Sequence, residues 1–287
     1  MSVQHMAHYK DVPAWQLSDS FWLRINPLLP KPKSRFRGRG KNRKNVGGRP
    51  SAPARQVMAG MLYVLRTGCQ WNAAPKEFGS GKTLHRYFQL WTRKRVFKRM
   101  WRAGLQEYDE VKGIRWQWQA ADGAITKAPL GGQSTGPNPT DRAKLGTKRS
   151  LLVEARGVPI AIEVGPANRH EVKMLAETLD GIVIERPTPS EEEKQNLCLD
   201  KGYAGEPTQQ VGQDRGYEVH VPDKANAKKK RKRKAGRRKA RRWIVEVTHS
   251  WLNRFRRLLV RWEKKKANYL SMLYFACAII CWRKCEV

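Results

Sequence analysis

A chain of 287 residues with 58 Lys and Arg against 25 Asp and Glu carries a formal net charge of +33. Such a balance excludes an ordinary small-molecule enzyme and points to a polyanionic partner, because each Lys or Arg placed on a phosphate releases condensed counterions. With 40% apolar residues and 11 Trp, the chain is no disordered tail and can build one large core plus a smaller module. Nucleic acid is the expected partner; a ribosomal-type RNA binder and a membrane-surface protein are the other readings of this charge.

Residues 16–30 read as a short amphipathic helix ending at prolines. Residues 31–50 are dense in Arg, Lys and Gly without apolar period, which predicts a flexible basic loop along a phosphate backbone. In 52–71, Val57, Met61, Leu62 and Leu65 share a helical face, and Gly68 stops the helix. A turn through Pro75 and Gly79 leads to helices at 83–91 and 95–105. Helix, glycine-containing turn, helix is the helix-turn-helix pattern, and Lys82, Thr83, His85 and Arg86 would stand at the end that meets base edges. A plain helical bundle with a charged surface is the alternative.

From 114 the pattern changes to strands. Residues 113–122 alternate and stop at Asp122-Gly123. Residues 150–154 and 160–164 form a hairpin signal around Gly157-Val158-Pro159. A helix at 170–179, a strand at 196–199, a helix at 206–215 and a strand at 217–221 follow. A basic stretch at 224–242 precedes helices at 242–260 and 267–283. Its run Lys228 to Lys234 reads as a DNA clamp or as a nuclear-localisation signal. The order predicts an α/β, ribonuclease-H-like mixed-sheet domain over 111–287, preceded by an all-helical, helix-turn-helix-like DNA-binding domain over 1–110.

No secretory signal is seen at 1–12, and the apolar run 269–282 falls short of the roughly 20 residues a membrane span needs. A bacterial cytoplasmic protein working at the nucleoid is the expectation. Five scattered cysteines fit a reducing compartment; Cys277, Cys281 and Cys285 share a helix face, where packing or a metal site is conceivable.

Cutting a phosphodiester calls for divalent ions held by carboxylate oxygens, and carboxylates are scarce here. Asp122 and Asp200 stand at two expected strand ends, each followed within two residues by a glycine. Two such aspartates can converge at one sheet edge; each alone can equally be a turn residue. On the helix from 242, the residues Arg242, Glu246, His249, Asn253, Arg256 and Arg257 fall within an arc of about 100°. That stripe suits metal and phosphate contact, or a solvated face with Glu246 paired to Arg242.

At these residues the chain resembles the DDE-class transposases of bacterial insertion sequences, in the group numbered five. Ala121-Asp122-Gly123-Ala124 resembles the first-aspartate motif, and Leu197-Cys198-Leu199-Asp200-Lys201-Gly202-Tyr203 the second. Lys127 to Gly132, Thr140-Asp141-Arg142, Leu145 to Ser150, and Ala167 to Glu171 resemble the segments between them. Arg242 and Glu246 match the signature of the final catalytic helix, whose tyrosine and lysine positions are Lys239 and Asn253 here. Gly68 to Trp71 and Phe88 to Trp91 extend the resemblance to the amino-terminal helices.

The resemblance implies binding of terminal inverted repeats, hydrolysis at the element ends and joining of 3′-hydroxyls to target DNA. It implies Asp122, Asp200 and Glu246 as catalytic and metal-holding residues, with Mg²⁺ as cofactor and Mn²⁺ as substitute. Lys148, Arg149, Lys201, Arg242 and His249 become candidates for phosphates, beside Asn253, Arg256 and Arg257 on the helix stripe. His170 and Glu171 would support the site or cap the helix that follows. Double-stranded DNA is the expected partner, bound by a homodimer or higher oligomer, with no membrane. A catalytically silent DNA-binding protein, a nuclease that cuts without joining, and an RNA-binding structural protein are the competing classes.

Overall fold

In a computed structural model of the chain, the described residues are 13, 15–31, 36–37, 44–45, 50–222 and 242–286. The run Lys228 to Lys234 and position 239 lie outside them. The chain divides into two compact units, 1–96 and 97–287.

In the first unit, α1 (Asp19–Ile25) starts where the Ser18 hydroxyl accepts the Phe21 N–H. Within the expected basic loop, β1 (Phe36–Arg37) and β2 (Lys44–Asn45) form a short antiparallel ladder. Helix α2 (Ala54–Thr67) ends at Gly68, whose φ of 75° closes the last turn as a residue with a Cβ would resist. Helix α3 (Gly81–Arg93) is capped by Ser80, which accepts the Thr83 N–H. Leu84, Phe88 and Trp91 of α3 are buried, as are Val57, Met58, Met61 and Leu65 of α2. Gly60 lets the two helices close up: a Cβ there would meet Leu84 and Phe78 at 2.8 Å. Their connection, 68–80, holds two 3-10 turns and is longer than the roughly 3–4-residue turn of a helix-turn-helix.

Helix α4 (Val96–Lys112), expected at 95–105, lies from Phe97 on in the second compact unit. Phe97, Met100, Trp101, Leu105 and Tyr108 recur at helical spacing and are buried. They meet α8 (Lys266–Cys285): Phe97 lies on Phe275, Trp101 stacks on Tyr274, and Glu107 accepts the Trp282 indole N–H at 2.7 Å. The Trp101 indole donates to the Pro159 carbonyl at 3.0 Å. The apolar face of this helix is thus spent on the core of the second unit.

The second unit is built on β3 (Trp118–Lys127), β4 (Gly136–Pro137), β5 (Leu145–Glu154), β6 (Pro159–Pro166), β7 (Gln195–Cys198) and β8 (Tyr217–His220). Strand β5 pairs antiparallel with β3 on one side and with β4 and β6 on the other. Strands β7 and β8 then add in parallel beyond β3. Three antiparallel strands extended by two parallel ones, with helices between, are the ribonuclease-H-like order expected from the sequence. Helix α5 (Glu171–Asp180) follows β6, and α6 (Glu206–Gln213) joins β7 to β8.

Neighbouring side chains on β5 point to opposite faces. Ser150 bonds Thr178 of α5 at 2.8 Å, whereas Arg149 bonds Asn253 of α7 (Trp243–Asn253) at 2.6 Å. So α5 covers one face of the sheet and α7 the other. In α8, Cys277 and Cys281 are free, fully buried thiols, and burial raises both pKa values. They pack as small apolar groups. No helix among the described residues is long and apolar enough to cross a membrane.

Candidate active site

Asp122 is not at a strand end. Strand β3 continues through it, pairing Asp122 with Leu151 and running on to Lys127 opposite Gly146. What ends there is the other edge: the last parallel pair of β3 with β7 is Ala120 with Cys198. Asp122 lies two positions beyond that pair on β3, and Asp200 two positions beyond it past β7. Each aspartate thus follows the last β3–β7 pair by two positions on its own segment, at the carboxyl end of the parallel pair where ligand crevices of α/β sheets form.

Glu246 reaches this edge from α7, whose Val245, Thr248, His249 and Leu252 are buried toward the sheet. Arg242, at the helix start, joins the carboxylates. Its guanidinium forms an ion pair with Asp200 and another with Glu246 at 2.9 Å. The i, i+4 pair of the sequence reading is therefore present, and it works as a strap between two expected catalytic carboxylates. Among the described residues no three His, Cys, Asp or Glu side chains stand close enough to hold an ion as they are arranged. The donor set nevertheless fits a hard divalent cation, because all three are carboxylates and a cationic group already bridges two of them.

Burial pushes the Asp122 carboxyl up to about 6. The Gly123 N–H, donating at 2.8 Å, opposes this, Glu171 adds to it, Arg242 opposes it and Asp200 adds to it. The sign follows. The folded value lies above the unfolded one near 4, so the native state binds the proton more tightly. In metal-free buffer this group's ionised form burdens the fold above about pH 6, and the burden is relieved as pH falls toward 4. Asp122→Asn should therefore raise the metal-free melting temperature at pH 8 and change it little at pH 4; an equal effect at both would contradict this environment.

Beside Glu246 lies an open cleft of about 380 Å³, lined by His249, Ser250 and Asn253 of α7, Ala124 and Thr126 of β3, and Arg149. His249 is buried; burial first, then the Arg149 charge, lower its pKa to about 3, so it is neutral and offers phosphate no cation. Arg149 is buried against Asn253, and its Nε and Nη1 are shielded from solvent. Lys148 is buried on the opposite face, donating to the Arg169 carbonyl at 2.9 Å and to Glu171 at 3.3 Å.

The expected helix to 260 stops at Asn253, and a 3-10 turn, Arg256–Leu258, follows. Arg257 is spent inside the fold on Glu263 at 2.8 Å, while Asn253 and Arg256 are exposed. Lys201 is exposed beside Asp200, and Lys82, His85 and Arg86 are exposed on α3, with Thr83 half-buried. His170 caps α5 by accepting the Val172 N–H, whereas Glu171 turns toward the sheet edge.

Comparison with known proteins identifies the family. Residues 119–281 match the transposase DDE domain family, and residues 17–101 match the family of transposases of IS4/5 type. The chain belongs to the IS4/5 family of DDE transposases. A Burkholderia cepacia protein named as a transposase for insertion sequence element IS402 is 35% identical over 154 residues, 53% of this chain and 70% of that one. A 16.2 kDa protein of the same insertion element is 34% identical over 125 residues, 43% of this chain and 80% of that one. Among solved structures, the Mos1 mariner paired-end complex with Mn is 12% identical with a TM-score of 0.27, covering 83% of this transposase and 79% of that chain.

Proposed function

We propose that this transposase binds the terminal inverted repeats of its insertion sequence, cleaves the DNA ends by metal-dependent hydrolysis and joins the 3′-hydroxyls to target DNA. The observation that carries the reading is that Asp122 and Asp200 each follow the last β3–β7 pair by two positions, with Glu246 strapped to Asp200 through Arg242. Asp122, Asp200 and Glu246 would hold Mg²⁺, or Mn²⁺ in its place. A bound divalent ion would stabilise charge on the reacting phosphate and lower the pKa of an attacking hydroxyl. Arg242 keeps two carboxylates near each other before the ion arrives, at the cost of exchanging its own ion pairs. Neutral His249 and buried Arg149 wall the cleft beside Glu246 without adding a further anion.

The exposed Lys201, Asn253 and Arg256 would meet flanking DNA. The amino-terminal helical unit would recognise the repeat, with Lys82, Thr83, His85 and Arg86 at the start of α3 toward the bases. Joining two element ends calls for at least a dimer on DNA. Such work on a bacterial chromosome places the protein in the cytoplasm, at the nucleoid.

The test is incubation of the protein with an end-labelled duplex carrying the element's own terminal repeat and a target plasmid. Nicking at the element boundary and joining to the target, both dependent on Mg²⁺ or Mn²⁺, are expected. Tight binding without any cutting would leave a DNA-binding protein, and cutting without joining would leave a nuclease.

A further inference from the structure

Glu171 opens α5 but does not cap it, since His170 does that. Its side chain instead fills the space left by two glycines of the aspartate motifs. A Cβ on Gly123, the residue after Asp122, would stand 3.3 Å from the Glu171 Cγ and Oε1. A Cβ on Gly202, two residues after Asp200, would stand 2.9 Å from the Glu171 Oε2. One carboxylate thus lies between the two chains that carry the aspartates, with a different oxygen toward each. Lys148, almost wholly buried, holds it at 3.3 Å and also donates to the Arg169 carbonyl just ahead of α5. Glycine at 123 and 202 is explained by this side chain, not by positive φ, which neither residue adopts.

We infer that Glu171 is a positioning residue of the aspartate pair: held by Lys148, its carboxylate sets the chain paths at Gly123 and Gly202 that aim Asp122 and Asp200 at a common ion. The inference rests on the proposed metal-dependent function. An apolar side chain of the same size would fill the gap but leave the buried Lys148 ammonium uncompensated. Partners that orient metal-holding carboxylates typically matter about 10–100-fold in metal affinity or activity.

The experiment measures Mn²⁺ binding to the full-length protein by calorimetry and electron paramagnetic resonance, beside Mg²⁺-dependent nicking. Glu171→Ala should weaken Mn²⁺ about 10–100-fold and shift the Mg²⁺ dependence of nicking upward by a similar factor. Glu171→Leu combined with Lys148→Met fills the gap and leaves no unpaired charge; once circular dichroism shows it folded, it should show the same weakening, because the tether from Glu171 through Lys148 to the Arg169 carbonyl is gone. Gly202→Ala should displace the flexible end of Glu171 and reproduce the defect, yet add nothing in the Glu171→Ala background. Wild-type Mn²⁺ affinity in the folded double variant, or a Gly202→Ala penalty that is equal with and without Glu171, overturns the inference. Asp122→Asn serves as control. If it leaves Mn²⁺ binding untouched, the metal-centre reading itself fails; if it abolishes binding while the Glu171 variants match wild type, the positioning role alone fails.

Discussion

Asp122→Asn, Asp200→Asn and Glu246→Gln should each lower the rate of nicking at the element end by about a thousandfold or more, with repeat binding retained. The magnitude follows from the several kcal/mol of transition-state charge stabilisation that a bound ion contributes, at about 1.4 kcal/mol per decade of rate. The amides keep size and hydrogen-bonding shape but remove the charge that holds the cation. The three need not be equal. Asp122 and Asp200 both follow the end of the β3–β7 ladder at the sheet edge, whereas Glu246 is more exposed and comes from a helix. Double variants should be no slower than the worst single one, because residues acting as one centre are not additive. Single-turnover nicking on a pre-bound duplex, with binding followed by gel shift, checks this. Additive losses would show three independent contributions and not one centre.

Trp101→Ala should cost about 3–5 kcal/mol of stability, the range for truncating a buried aromatic. Trp101 is fully buried, stacks on Tyr274, and donates its indole N–H to the Pro159 carbonyl. Its removal opens a void between α4, α8 and β6 and leaves that carbonyl without this donor. Denaturant unfolding of a fragment spanning 97–287 and of the whole chain should show the same loss. A loss confined to the amino-terminal unit would contradict the assignment of α4 to the catalytic core.

Much of this architecture was legible in the sequence, for identifiable reasons. The apolar strand Leu197 to Leu199 stops at Asp200, and the stripe on α7 separates Glu246 from Val245 and Leu252, so periodicity put one carboxylate at a strand end and the other on a polar helix face; only the family resemblance singled them out as catalytic candidates. Alternation in the sequence places the first strand one half-length too early, at 113–122 where the structure has Trp118–Lys127. The alternation of Trp116 and Trp118 resembled strand, and Asp122-Gly123 resembled its end. In the structure β5 holds β3 as far as Lys127, and Gly123 is small because Glu171 passes beside it, not because the chain turns.

The fate of the basic residues was not legible, because it depends on partners far along the chain. Lys148 meets Glu171, Arg149 meets Asn253, and both are buried, while composition shows only that they are cations. Helix α7 ends at 253 where local periodicity continues. Phe255 leaves the helical conformation with ψ of 93°, and Arg257 turns inward to Glu263. The partner of α4 was hidden for the same reason: its face is amphipathic whichever core it joins.

The most direct test of a single metal centre at Asp122, Asp200 and Glu246 is iron-mediated cleavage of the protein backbone. Fe²⁺ replaces Mg²⁺ on the DNA-bound protein, and ascorbate with peroxide generates radicals that cut the chain beside the bound ion. Cuts clustered near residues 122, 200 and 246, suppressed by excess Mg²⁺, are the predicted result. Cuts confined to other segments, or a pattern that Asp122→Asn leaves unchanged, would contradict it.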